Sequence, residues 1–381
     1  MLMRRSDEGG GAAHIVFVLQ GLGAGGSEHI VSRVSSHFAA KGNKVTVLAF
    51  EERGAEPYYD HHPSVTIMPL GHKSKRMGSV AAIRYMLERR RLLKSAFSVL
   101  QPDLVVSFLT RTNILSVLAA GRDGPPVIVS ERNNPAAQKI GTVWEALRRH
   151  TYARASALVT MTRGAMALFA PADGRRDHVI PNPATLPDEI AGPRVGGTNL
   201  VAVGRFVPQK GFDRLIRAFA RASQAIPDWK LTIWGDGPDR PALEALRDRL
   251  GLTDRIAMPG ISAEPGAWLD SADVFVLSSR FEGWGLVLSE AMAAGRPVIA
   301  TDCDFGPADM IADPSQGLLV PDGDLDALAG AMERLCSDAA LRERMGAAAR
   351  QRMRAFDPDR VLAMWEEVID GALARHREGA A

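Results

Sequence analysis

Only two cysteines, Cys303 and Cys336, occur in the chain of 381 residues. That is too few for a disulfide framework, and they lack the spacing of a zinc site; such usage fits a reducing compartment. Net charge is also scarce: 46 Lys plus Arg against 44 Asp plus Glu leave +2. No global field then favours a nucleic-acid partner, and none is expected. Long apolar runs are missing as well. The greasiest stretches are broken by charge or proline well before the roughly 20 residues needed to cross a bilayer, so a soluble or peripheral cytoplasmic protein is expected. Met1 to Ala12 holds Arg4, Arg5, Asp7, Glu8 and three successive glycines without a signal peptide's apolar centre, and reads as a tail. No repeat of solenoid period and no low-complexity linker appears. What is present is 46% hydrophobic and 24% charged residues, enough at this length for two domains with their own cores.

The apolar runs are short and β-branched: His14 to Leu19, Lys44 to Leu48, Leu104 to Phe108 and Val127 to Ser130. None alternates with period two, and each is followed by a stretch long enough for a helix, as a parallel sheet covered on both faces requires. After Pro181, Pro183, Pro187 and Pro193 the rhythm restarts at Asn199 to Val203, Lys230 to Trp234, Asp273 to Leu277 and Pro297 to Ala300. The predicted fold class is therefore α/β, two doubly wound Rossmann-like domains facing a central cleft. The expected boundaries are a tail over 1–13, a first domain over 14–187, a second over 188–358 and a terminal helix over 359–381. That helix carries an apolar stripe through Val361, Met364, Trp365, Val368, Ile369 and Ala372 and is expected to pack back on the first domain. Ligands of such folds lie at the carboxyl ends of the strands, so the loops there are where chemistry is sought.

The first strand runs into Gly21, Gly23, Gly25, Gly26 and Ser27, where glycines let a ligand approach and free amides at a helix start attract an anion. Two other readings stand beside this. Gly21, Gly23 and Gly26 also fit a dinucleotide fingerprint with Glu51 or Glu52 as the ribose acid, and a tight turn explains the glycines without a ligand. From Gly204 the loop offers Arg205 and Lys210, a pair suited to clamping a diphosphate or simply two solvated cations. Gly235-Asp-Gly-Pro238 is a turn. In Arg280-Phe-Glu282-Gly283-Trp284-Gly285-Leu286, continuing to Glu290, a loop carboxylate precedes a helix start with its amides, and a second carboxylate lies inside the helix. Sugar hydroxyls, phosphates and a ribose are the matching ligands; an exposed Glu before an ordinary helical Glu is the plain alternative.

Taken together, Glu282 and Glu290 within their motif, Gly-Arg-Phe with Lys-Gly, Gly-Asp-Gly-Pro and the early Gly-Gly-Ser-Glu resemble the retaining glycosyltransferases of family four, of GT-B fold. The resemblance runs from residue 14 to roughly residue 325. It implies that Glu282 faces the donor sugar and acts in catalysis with Arg205 and Lys210, and that Glu290 holds the nucleotide ribose. Arg205, Lys210 and the amides of Gly283, Trp284, Gly285 and Leu286 would bind the donor diphosphate, with UDP the first candidate nucleotide. Gly25, Gly26, Ser27 and Arg132 would form an acceptor or phosphate loop. Neither a metal nor another cofactor is expected, and Asp302-Cys-Asp304 reads as a loop. Arg132 stands where many relatives carry a His, and an Arg cannot serve as a base at neutral pH. Asn182 reads as part of a structural turn.

Between Lys73 and Lys94 lie Lys73, Lys75, Arg76, Arg84, Arg89, Arg90, Arg91 and Lys94 with the single acid Glu88. Ile83, Met86, Leu87, Leu93, Phe97 and Leu100 are expected to form one apolar face, giving either a basic amphipathic helix for an anionic membrane or a helix packed on its own domain. Relatives that extend polyprenyl-diphosphate-linked oligosaccharides carry a basic helix here, and some share a run like Ser107 to Ile114. The resemblance then implies transfer from a nucleotide-sugar donor to a lipid-linked glycan acceptor at the inner membrane face, with Arg84, Arg90, Arg91 and Lys94 holding the acceptor diphosphate. A soluble acceptor, an inactive glycan- or partner-binding protein and, remotely, an NAD-dependent dehydrogenase are the alternatives.

Overall fold

The computed structural model describes residues 12–23, 25–72, 79–138, 140–184, 196–262, 264 and 266–380. Nearly all of the expected tail, and the basic residues Lys73, Lys75 and Arg76, lie outside them.

The first sheet contains β1 (His14–Leu19), β2 (Lys44–Ala49), β3 (Val65–Pro69), β4 (Leu104–Phe108), β5 (Val127–Glu131), β6 (Ala157–Thr160) and β7 (Arg176–Val179). All pair in parallel, in the order β3-β2-β1-β4-β5-β6-β7. Its helices are α1 (Gly26–Ala40), α2 (Ser79–Leu100), α3 (Thr110–Ala120), α4 (Thr142–Tyr152) and α5 (Arg163–Met166). Successive strand residues point to opposite faces. Ile15, Phe17 and Leu19 therefore meet α1 through Val31, Val34 and Phe38, while Val16 and Val18 meet α2 and α3 through Leu93, Phe97 and Leu115. Both faces need apolar side chains, which explains runs without polar alternation.

The second sheet contains β8 (Asn199–Val203), β9 (Lys230–Trp234), β10 (Ile256–Gly260), β11 (Val274–Leu277), β12 (Val298–Asp302) and β13 (Leu318–Pro321), with α6 (Phe212–Ala222), α7 (Arg240–Arg249), α8 (Leu286–Ala293), α9 (Pro307–Met310), α10 (Leu325–Ser337) and α11 (Ala339–Met353) around it. Its order is β10-β9-β8-β11-β12-β13, again parallel. The two doubly wound units expected from the sequence are present.

The last helix, α12 (Pro358–Ala380), places Val361, Trp365, Val368, Ile369 and Ala372 in the core of the first sheet. Trp365 is fully buried with its ring 5.7 Å from that of Phe108. The domains also touch where little space is left. A Cβ on Gly283 would lie 2.7 Å from the Arg132 carbonyl oxygen, and one on Gly164 would lie 2.8 Å from the Phe305 ring.

On α2 the structure corrects one expectation. Met86, Leu93 and Phe97 pack inward, but Ile83 and Leu87 are 59% and 41% exposed. They share the outer face with Arg84, Arg90, Arg91 and Lys94, because positions 83, 87, 90 and 94 recur at helical spacing. Arg89 is buried, with its guanidinium 4.1 Å from the centre of the Phe50 ring.

Candidate functional site

A cavity of about 250 Å³ lies between the domains, lined by Gly26, Ser27, Arg132, Asn133, Met161 and Asn182 from the first and Gln209, Lys210 and residues 282–287 from the second. Every lining segment follows the carboxyl end of a strand or starts the helix after one, as doubly wound sheets dictate.

On the second domain, β11 ends at Leu277 and the chain turns through Ser278 to Gly285 before entering α8. Gly285 takes φ +92° to make that entry, a conformation that costs a side-chain-bearing residue energy. Glu282 is buried. Its Oε1 accepts from Lys210 Nζ at 2.7 Å and from Ser279 Oγ at 2.6 Å, while among the described residues Oε2 accepts nothing. Ser278 Oγ donates to the Lys210 carbonyl at 2.9 Å, and Thr301 Oγ1 to the Ser279 carbonyl at 2.6 Å. The backbones of Lys210 and of Ser279, the two donors to Glu282, are thus both tied down. The amides of Gly283, Trp284, Gly285 and Leu286 donate to no backbone carbonyl among the described residues, which leaves them and the positive end of α8 facing the cavity.

Glu290 lies one turn into α8, and burial pushes its carboxyl up to about 7. Tyr59 of the first domain is within electrostatic reach of both Glu290 and Glu28, and burial raises its phenol to about 12. Arg205 is exposed and does not line this cavity.

On the first domain, Gly26 faces Leu286, whose Cδ1 would sit 2.8 Å from an added Cβ. Gly25 is the N-cap of α1. The Glu28 carboxylate folds back against it, and burial raises that carboxyl while a hydrogen bond from its own backbone amide lowers it. One amide at this helix start, that of Glu28 itself, therefore already meets an acid of the same helix. Glu28 ends the Gly-Gly-Ser-Glu motif read from sequence but was given no role there, although an acid in a first helical turn is the usual sign of such a contact.

Arg132 is buried with Nη1 donating to the Ile180 carbonyl at 3.1 Å and to Asn182 Oδ1 at 3.3 Å. Its guanidinium lies 5.2 Å from the centre of the Trp365 ring, and Asn182, read from sequence as a turn, is its partner. A second cavity of about 330 Å³ adjoins, lined by Gln20, Leu109, Thr110, Arg111, Asn133, Gln138 and Ile140; Asn133 lines both. Sequence patterns gave no signal for Gln20 or Gln138; Arg111 lies in the Ser107 to Ile114 run shared with some relatives, where it was given no role. Arg84, Arg90 and Arg91 sit on the outer surface of α2 and are not brought to either cavity; Lys94 borders a separate hollow with Phe97 and His376. β12 extends to Asp302, so only Cys303 and Asp304 of the Asp302-Cys-Asp304 run belong to the following loop. Among the described residues no group of three or more His, Cys, Asp or Glu is placed to hold a metal ion, and no helix is long and apolar enough to cross a membrane.

Two parallel-sheet domains closing on a cleft with a Lys–Glu pair and open helix amides define the GT-B architecture. The family model "Glycosyl transferase 4-like domain" matches residues 25–183, and "Glycosyl transferases group 1" matches residues 190–352. The chain belongs to this GT-B glycosyltransferase family. It is 31% identical to an exopolysaccharide phosphotransferase of Streptomyces coelicolor over 74% of this chain and 30% of that one. A 27% identity covers 93% of this chain and 98% of a Campylobacter jejuni protein named as an α-1,4-N-acetyl-D-galactosaminyltransferase acting on a diNAcBac-PP-undecaprenol-linked glycan. The Anabaena protein HepE, solved in complex with UDP, superposes with a TM-score of 0.74 at 18% identity, over 94% of this chain and 100% of that one. The chain spans between 30% and 50% of the length of three curated relatives that it matches.

Proposed function

We propose that the protein is a retaining glycosyltransferase that moves a sugar from a nucleoside-diphosphate donor, UDP first, to a lipid-diphosphate-linked glycan in surface polysaccharide or glycoconjugate synthesis. The observation that carries this reading is the Lys210–Glu282 pair at 2.7 Å, set beside the open amides of Gly283 to Leu286. Glu282 Oε2 accepts a hydroxyl of the donor sugar. Lys210 and the amides take the phosphate oxygens, and Arg205 folds in from the same loop once the diphosphate is bound. Charge that develops on the departing phosphate meets fixed donors, usually the largest catalytic contribution. The anomeric C–O bond to phosphate breaks as the acceptor oxygen bonds to the same carbon from the same face. The acceptor's proton passes to the leaving phosphate, so Glu282 and Glu290 are not the carboxylate pair of a glycosidase. Glu290 accepts from the ribose hydroxyls.

The acceptor enters from the first domain, along the cavity lined by Gln20, Arg111, Asn133 and Gln138. Lipid linkage is supported by the outer face of α2, where exposed Ile83 and Leu87 stand among Arg84, Arg90 and Arg91. Apolar side chains flanked by cations suit an anionic bilayer surface, and the Campylobacter relative is named for a polyprenyl-diphosphate-linked acceptor.

The test uses a UDP-sugar with a polyprenyl-diphosphate-linked oligosaccharide in vesicles containing phosphatidylglycerol. Transfer with retained anomeric configuration is expected, faster than in phosphatidylcholine vesicles and lowered about tenfold by joint Arg84→Glu and Arg91→Glu changes. Undiminished vesicle binding and transfer by the charge-reversed variant, or efficient transfer only to a water-soluble sugar, overturns the lipid-linked acceptor.

A further inference from the structure

Three acceptors surround one hydroxyl behind the cavity that adjoins the cleft. Thr110 Oγ1 lies 2.9 Å from both oxygens of Glu131 and 3.1 Å from Gln138 Oε1, yet a threonine hydroxyl has a single proton to donate. The rest of the network shows where the missing proton belongs. Asn113 Nδ2 donates to the Ser130 carbonyl at 2.9 Å, and a carbonyl cannot donate back, so the orientation of this amide is fixed. Its Nδ2 therefore also donates to Tyr152 Oη at 2.9 Å, and the Tyr152 proton goes to Glu131 Oε2 at 2.8 Å. Each contact then holds one proton when Glu131 Oε1 is itself protonated and donates to Thr110, whose own proton goes to Gln138 Oε1.

Burial favours that proton. Glu131 is 1% exposed, and desolvation pushes its carboxyl up, against hydrogen bonds from Tyr152 and Thr110 and the charge of Arg148, which pull it down; Glu145 adds to the rise. Arg148 and Glu145 both stand on α4, while α3 presents neutral Thr110 and β6 pairs neutral Thr160 with Glu131. Leu109, just before α3, takes φ +74°, where few residues with side chains settle, and after that turn Thr110 both bonds Glu131 and lines the cavity. Gln138 is partly exposed and lines the same cavity. With Oε1 held by Thr110, Nε2 is the end of the amide left to face it, bonded to nothing among the described residues and not one of their enclosed, unpartnered atoms. Once the Glu131 proton leaves, Thr110 must donate to the carboxylate. Gln138 then turns its amide over, giving Nε2 to Thr110 and Oε1 to the cavity.

We infer that Gln138 is a specificity-determining residue for the acceptor sugar and that Glu131, through Thr110, is its positioning residue: a proton on Glu131 makes Gln138 a donor to the cavity, and its loss makes Gln138 an acceptor. This rests on the glycosyltransferase reading of the adjoining cleft. A sugar hydroxyl both donates and accepts, so it suits either state. The carbonyl of an acetamido group only accepts, so an N-acetylated sugar is what the donor state selects. The rest of the wall agrees. Arg111, held 5.2 Å from the centre of the Trp144 ring, can only donate, and no carboxylate lines the cavity.

The first arm of the test needs no ligand. NMR of the full chain with isotope-labelled glutamine and glutamate follows the Gln138 side-chain amide, identified by its absence in Q138L, together with the Glu131 carboxyl. Both are expected to shift with pH at one midpoint above the ordinary glutamate range. In E131Q, which keeps the protonated pattern of hydrogen bonds, the Gln138 signal should stand still, and in T110V it should no longer follow Glu131. A Gln138 amide that ignores pH in the native chain, or that titrates in T110V as before, overturns the relay; the native comparison stands even where a variant folds poorly. The second arm titrates UDP-saturated protein with methyl N-acetylglucosaminide and methyl glucoside. Below the midpoint the acetamido sugar is expected to bind at least about fivefold tighter, the usual worth of one hydrogen bond. That preference should fade above the midpoint, persist there in E131Q and vanish in Q138L with UDP affinity unchanged. Equal affinity for the two sugars, no binding of either, or loss of UDP alongside the sugar in Q138L overturns the reading by Gln138. A chain that binds no nucleoside diphosphate removes the transferase reading, whereas failure of the relay leaves that reading intact.

Discussion

Lys210 Nζ donates to Glu282 Oε1 at 2.7 Å across two loops that are 72 residues apart in sequence. The pair lies at the base of the interdomain cavity with both residues largely buried. Each fixes the other's side chain at the cavity wall.

Replacing Glu282 with Gln keeps the shape of the side chain and removes its charge. Turnover is expected to fall about 100-fold or more, as when a polar contact that strengthens in the transition state is lost, with donor affinity changed by less than about threefold. Steady-state kinetics beside equilibrium titration of the donor separate the two. Weakened donor binding with turnover unchanged would place Glu282 in ground-state binding alone.

Gly283 meets the Arg132 carbonyl with no room for a methyl group. Gly283→Ala should therefore hold the domains apart, raising the donor KM about tenfold through lost alignment of groups on the two domains, and increasing the radius of gyration in solution scattering. Gly330 in α10 has open space around the same position, so Gly330→Ala serves as the control and should leave KM unchanged.

Burial raises Glu290 to about 7, and two opposite pH effects follow. Donor affinity should rise with pH through about 7, because the carboxylate is the better acceptor for ribose hydroxyls. Stability should move the other way. The folded chain holds this proton more tightly than the unfolded chain does, so the contribution is full below the ordinary glutamate range and is lost as pH rises to about 7. Glu290→Gln should flatten the affinity profile and stabilise the chain above pH 7 by at most about 3 kcal/mol. Titrations of donor and denaturant from pH 5 to 8 read both.

Trp365 is fully buried beside Phe108 and Arg132. Trp365→Ala should cost about 3 to 5 kcal/mol, the usual range for removing a large buried aromatic. The loss should appear as a lower denaturation midpoint, followed by near-ultraviolet circular dichroism. A change within 0.5 kcal/mol or so would mean that α12 is dispensable to the first core.

The central strands of both sheets were legible because burial on both faces leaves a continuous apolar run: β1, β4, β8 and β9 begin and end at the expected residues. The edges were not. β7 reads Arg-Asp-His-Val with its first residues exposed, and β3 and β10 are also half open, so no comparable pressure shaped their sequences. In the site, Glu282, Lys210 and Gly283 to Leu286 stood out as compact motifs. The partnership of Arg132 with Asn182 and Trp365 joins residues 50 or more positions apart, and no local pattern encodes it. Ile83 and Leu87 were expected on one apolar face of α2 with Leu93 and Phe97, and they lie on the outer face instead, because spacing alone does not say where a helix leaves its domain.

In the proposed reaction the cleft binds a nucleoside-diphosphate sugar through Lys210 and the helix amides. Calorimetric titration of the full chain with UDP, GDP and NAD, repeated for Lys210→Ala, tests it most directly. One nucleoside diphosphate is expected to bind and NAD is not, with Lys210→Ala weakening the nucleotide about tenfold or more. Binding of NAD with no binding of either diphosphate, or unchanged diphosphate affinity in Lys210→Ala, would contradict it.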